Sequence, residues 1–120
     1  MKKLLLTVSS IFLLTACANT PAPENAWVYI SNGAIQCESD GKTGAETERL
    51  LTEKNIVVSK TECGHLSNVA VILMCGGPAT NINVHQIKHT DLEKSQALGF
   101  QDVITLKQLD NLGYEASECQ

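Results

Sequence analysis

Thr43-Gly44-Ala45-Glu46-Thr47-Glu48-Arg49-Leu50-Leu51-Thr52-Glu53-Lys54-Asn55-Ile56-Val57-Val58-Ser59 is the stretch from which the fold class is read. It opens with Thr43-x-x-Glu46, a capping box in which the hydroxyl accepts from an orphan helical amide and the carboxylate reaches back. Thr47, Leu50, Leu51 and Lys54 then lie on one narrow stripe, and Asn55 suits the left-handed stop of a helix. Ile56-Val57-Val58-Ser59 begins a β-branched strand that runs toward Cys63. Upstream, Trp27-Val28-Tyr29-Ile30 reads as another strand and Asn32-Gly33 as a turn. Ala34-Ile35-Gln36 could continue that strand past a bulge before the loop Glu38–Lys42. Strand, helix and strand in that order predict a right-handed crossover between two parallel neighbours.

Downstream, Val69-Ala70-Val71-Ile72-Leu73-Met74 is a continuous apolar run, short enough for a central strand buried on both faces. Gly76-Gly77-Pro78 breaks it, and the partial alternation of Asn81-Ile82-Asn83-Val84-His85-Gln86-Ile87 predicts a half-buried partner in a hairpin. Thr90-x-x-Glu93 with Gly99, and Thr105-x-x-Gln108 with Gly113, predict two further short helices. Tyr114 to Cys119 reads as a last edge strand. Glu62-Cys63 and Glu118-Cys119 each close a helix-strand unit, a faint echo too short to establish duplication. Together these elements predict an α+β fold: a small mixed β-sheet with two or three short helices on one face, stapled by disulfides.

The first residues have a different composition. Lys2 and Lys3 precede the apolar run Leu4–Leu14, which is too short to span a bilayer that needs about 20 apolar residues. Leu14-Thr15-Ala16-Cys17 ends this segment and resembles the lipobox of bacterial lipoproteins. The resemblance covers residues 1–17 and leaves the rest of the chain unassigned. It implies a signal peptide at 1–16, cleavage before Cys17, and lipid on the cysteine and on its new amine. Ala18 rather than Asp after the cysteine resembles the pattern exported to the outer membrane of a Gram-negative cell. Residues 17–25, with Pro21 and Pro23, then form a lipidated tether, and residues 26–120 a single α+β domain.

Charge narrows the function classes. Lys2 and Lys3 leave with the signal, so of nine basic residues seven remain against thirteen acidic ones, a formal charge of −6. With no basic patch the domain is not expected to bind nucleic acid, and electrostatic adhesion to anionic lipid is disfavoured. The expected partners are the membrane, through the lipid anchor, and an envelope protein or peptidoglycan near it.

Setting Cys17 aside leaves Cys37, Cys63, Cys75 and Cys119, an even set in an exported small domain, and so two expected disulfides. Parallel neighbouring strands favour Cys37 with Cys63 and Cys75 with Cys119; Cys37 with Cys75 or with Cys119 stays open.

Candidate chemistry is sparse. Cys63, His65 and His85 are the residues an enzyme or metal carrier would use, but no Cys-x-x-Cys or Cys/His pair-of-pairs is present. His85 and His89 are expected to be solvated. Glu46 with Glu53, and Glu115 with Glu118, read as solvated faces. No catalytic residue, metal site or cofactor is expected, and the reading is a non-catalytic binding or structural lipoprotein of the cell envelope, with the enzyme or metal carrier as its alternative.

Overall fold

The structure, a computed structural model, describes residues 17–119; the expected signal peptide, residues 1–16, lies outside the described residues. The fold is α+β. Five strands form one sheet: β1 (Asn25–Ser31), β2 (Val58–Leu66), β3 (Asn81–Lys88), β4 (Gln101–Asp102) and β5 (Tyr114–Ser117). Two helices, α1 (Gly44–Thr52) and α2 (Leu92–Ala97), pack on one face.

The sheet order is β4-β1-β3-β2-β5, and every ladder is antiparallel. This corrects the expected parallel neighbours. The strands β1 and β2 do run in the same direction across α1, but β3 lies between them and pairs with both. Alternation assigns the faces. Ala26 and Val28 of β1 and Ile87 of β3 meet Leu51, Ile56 and Phe100 beneath the helices. On the opposite face Tyr29, Ile82 and Val84 are covered by Val103, Leu106 and Tyr114.

The central strand is therefore β3, not Val69–Met74. That apolar run belongs to the connection between β2 and β3, with its side chains exposed. Local pairing explains the outcome. Before the run begins, β2 has extended to Leu66, and the Cys37–Cys75 bridge ties the run's far end to the loop after β1.

The second expected capping box does not form. A 3₁₀ turn occupies His89–Asp91 and α2 starts only after it, with no side-chain bond at its cap. Gly99, at φ +97°, does end that helix, as its position suggested. The third expected helix is reduced to a 3₁₀ turn, Val103–Leu106. There Asp102, rather than Thr105, supplies the cap: its carboxylate accepts from the Ile104 N–H at 3.0 Å, while the Thr105 hydroxyl donates to Asp102 O at 2.7 Å. Lys107 is extended and ends the turn, leaving Leu109 and Leu112 exposed. The expected final edge strand is β5. Glu24 O accepts from the His89 N–H at 2.9 Å, which fixes where the tether meets the sheet. No helix of the described residues is long and apolar enough to cross a membrane.

Candidate functional site

The polar groups of the interior gather where the first turn of α1 crosses β2 and β3. The capping box read from Thr43 and Glu46 is present: the Glu46 N–H donates to Thr43 Oγ1 at 3.2 Å and the Thr43 N–H to Glu46 Oε2 at 2.7 Å. That backbone donor, then the Thr43 side chain, holds the Glu46 carboxyl below its ordinary pKa. Beneath it, the Asn83 amide donates to Lys42 O at 3.0 Å and Thr43 O at 3.1 Å, pinning the loop that enters the helix.

One residue pair along β3, His85 lies beneath Thr47. Its Nε2 is 2.9 Å from Thr47 Oγ1 and its Nδ1 2.9 Å from Thr61 Oγ1, and Thr61 donates to Glu48 Oε2 at 2.9 Å. Thr61 has one hydroxyl proton and gives it to the carboxylate, so its oxygen accepts from the histidine. The neutral ring thus carries its proton on Nδ1, and its Nε2 accepts from Thr47, whose one hydroxyl hydrogen also has Gly44 O within reach at 3.1 Å. A directed chain results, Thr47 to His85 to Thr61 to Glu48. The Phe100 ring closes the site edge-on, with centroids 5.9 Å apart.

His85 has no exposed surface, which corrects its expected solvation. The sheet gives the reason. β3 is central and covered on both faces, so the polar residues at its middle, Asn83 and His85, are buried along with its apolar ones. Burial lowers the His85 pKa from 6.5 to about 4, with the Glu48 charge opposing the shift.

The disulfides are Cys37–Cys75 and Cys63–Cys119, a correction of the favoured pairing. Insertion of β3 between β1 and β2 removes the neighbouring strand ends on which that pairing relied. Instead Cys63 is in register with Ser117 of β5, and Cys119 lies just beyond, at a Cα–Cα distance of 4.9 Å. The two Glu-Cys pairs of the sequence echo are thus joined to each other. Their bridge lies against the start of α1, where a Cβ on Gly44 would come within 2.8 Å of Cys119 Sγ and 2.9 Å of Thr61 Cγ2. Cys63 Sγ is 3.3 Å from Asn83 Oδ1, but a bridged sulfur carries no hydrogen, so this is a contact and not a hydrogen bond.

A surface cavity of about 520 Å³ opens beside this cluster, bordered by Asn32, Gly41, Thr43, Cys63, Asn83 and Glu118. Its wall needs glycine at position 41: φ is +75° there, and a Cβ would meet Asn32 O at 2.5 Å. The three residues of the enzyme or metal alternative do not converge. Cys63 is bridged, His85 is enclosed, and the exposed His65 Nε2 lies 3.2 Å from the Glu115 carboxylate. His89 is half-buried at a second, more apolar cavity of about 300 Å³ beside Trp27, Ile104 and Leu112. Among the described residues no three His, Cys, Asp or Glu side chains group to hold a metal. Both nitrogens of His85 are engaged, so its geometry fastens α1 to the sheet and offers no base to a substrate. The Thr47 and Thr61 partners have a sequence signal in hindsight: each is a threonine on an inward stripe of its element.

No family model, no curated protein and no solved structure matches this chain.

Proposed function

We propose that the chain is a lipoprotein anchored by Cys17 to the outer membrane, facing the periplasm, where it binds or supports another envelope component without catalysing a reaction. The observation that carries this reading is the division of its cysteines. Four of the five are bridged among themselves, and the remaining one, Cys17, is exposed at the start of the tether, at the end of the Leu14-Thr15-Ala16-Cys17 motif. Sulfur available for acylation is thus found only where the lipobox resemblance requires it. Two or more acyl chains give stable anchoring where one binds marginally.

Support for a binding or structural role comes from the polar cluster, which is spent on holding the fold. The candidate partner is a protein or peptidoglycan within reach of a short tether. Metabolic labelling with an alkyne fatty acid tests the anchor: wild-type protein is expected to take up label and Cys17→Ser to take up none. Crosslinking in intact cells followed by affinity capture tests the role. A defined envelope component recovered with wild-type protein supports binding; turnover of a small molecule by the purified protein overturns it.

A further inference from the structure

The connection between β2 and β3 places its most apolar residues outward. Ile72 is 79% exposed, Leu73 91% and Met74 60%, with Val69 and Val71 also exposed beside them. These residues are consecutive, so their side chains leave the backbone in several directions and form an apolar tip rather than a one-sided patch. Such a tip suits a fluid apolar medium better than a flat protein surface.

Three further observations point to the same medium. First, three backbone groups at the tip are satisfied from within. The Gln36 side chain brackets Leu73, donating from Nε2 to Ile72 O at 3.0 Å and accepting the Met74 N–H on Oε1 at 3.1 Å, while Met74 O accepts from the Gly77 N–H at 3.0 Å. Those pairings lower the cost of placing Ile72–Met74 in hydrocarbon, which offers no hydrogen bonds to a bare peptide group. Second, no Asp, Glu, Lys or Arg occurs from Cys63 to Ile87, although the chain holds thirteen acidic residues and nine basic ones. Ionised groups are missing from the segment where desolvation would penalise them. Third, the Cys37–Cys75 bridge and the Gly76 N–H bond to Gln36 O brace the end of the loop next to its most exposed residues, so insertion has less chain entropy to remove there.

We infer that the Val69–Met74 loop inserts its tip into the lipid bilayer to which the chain is anchored. This rests on the lipid-anchor reading above, which places the bilayer within reach. The tether joins at Asn25, the opposite end of β1 from the loop, but residues 18–24 extend to roughly 24 Å, about the length of a seven-residue strand. The tether can therefore run back beside the sheet and let the loop touch the same leaflet. Two contacts, one covalent and one apolar, then fix the orientation of an acidic domain that charge alone would not hold there.

The test uses the lipidated protein, purified from membranes, in phosphatidylcholine vesicles with and without brominated acyl chains. Leu73→Trp adds one indole to Trp27 at a site too exposed to disturb packing, and an unchanged disulfide map verifies the fold. Flotation of the vesicles reports the anchor, and quenching by bromine reports insertion. Co-flotation with loss of most of the added indole emission supports the inference, and Leu73→Asp should then leave flotation intact. Co-flotation with an unquenched, water-like indole overturns insertion and leaves the anchor standing. An unquenched indole whose emission shifts to the blue with protein concentration assigns the loop to a second copy and also overturns it. Absence of co-flotation overturns the anchor, and the insertion that rests on it.

Discussion

A histidine without exposed surface has no water to bond, and His85 replaces it with a threonine on each ring nitrogen. Truncation to alanine removes two buried hydrogen bonds and leaves a void beside Phe100. We expect His85→Ala to cost about 2–4 kcal/mol in urea unfolding, and His85→Gln, which keeps part of the bonding, to cost less. Acid should act through the same residue. Because the folded pKa is about 4 and the ordinary one 6.5, the unfolded chain takes up a proton first. The stability contributed by neutral His85 is complete above about pH 6.5 and is lost as pH falls toward 4, by about 3 kcal/mol at most. Unfolding curves across this window should slope in wild type and flatten in His85→Gln; equal slopes would remove His85 from the account. The sequence could not show this residue's burial, because alternation marks which side chains share a face and is silent on whether that face is covered.

At the scale of elements, what was legible was local. The first capping box, the left-handed Asn55 at φ +60° and the stop at Gly99 depend on neighbours in the chain, and each is found where the residues place it. Thr43→Ala should destabilise the protein by about 1 kcal/mol through loss of that cap. The Glu46 partner adds acid sensitivity of its own, since a carboxyl held below its ordinary pKa contributes above that value and is lost on protonation. Val69–Met74 misled because apolar composition encodes a preference for leaving water, without stating whether the destination is the core. Disulfide pairing was equally non-local and needs the strand order. Cys63 and Cys75 share one tryptic peptide, so trypsin alone cannot distinguish the pairings. Cyanogen bromide cleavage at Met74 separates them. A fragment holding Cys63 should then stay linked to the C-terminal peptide, and one holding Cys75 to the Cys37 peptide; the reverse linkage contradicts the sheet order. Removing the second bridge with Cys119→Ser opens a loop of 56 residues, worth about 4 kcal/mol by chain entropy, and should release β5 first. Hydrogen exchange in Tyr114–Ser117 reads that release.

For the molecule as a whole, one short sheet covered on both faces lies in a twice-bridged acidic domain that exposes apolar residues in the Val69–Met74 loop and at Ile104, Leu109 and Leu112. The fold class was legible because helix and strand patterns alternate clearly along the chain. Strand order was not, since nothing local announces that the third strand enters between the first two. Function at this scale depends on whether the chain is held at a membrane, and Cys17 decides it. The most direct measurement is mass spectrometry of the N-terminal peptide from the membrane fraction of cells making the wild-type protein. The account predicts a peptide that begins at Cys17 and carries diacylglyceryl and amide-linked acyl mass, absent in Cys17→Ser. A peptide that still includes residues 1–16, or one beginning at Cys17 without acyl mass, would contradict it.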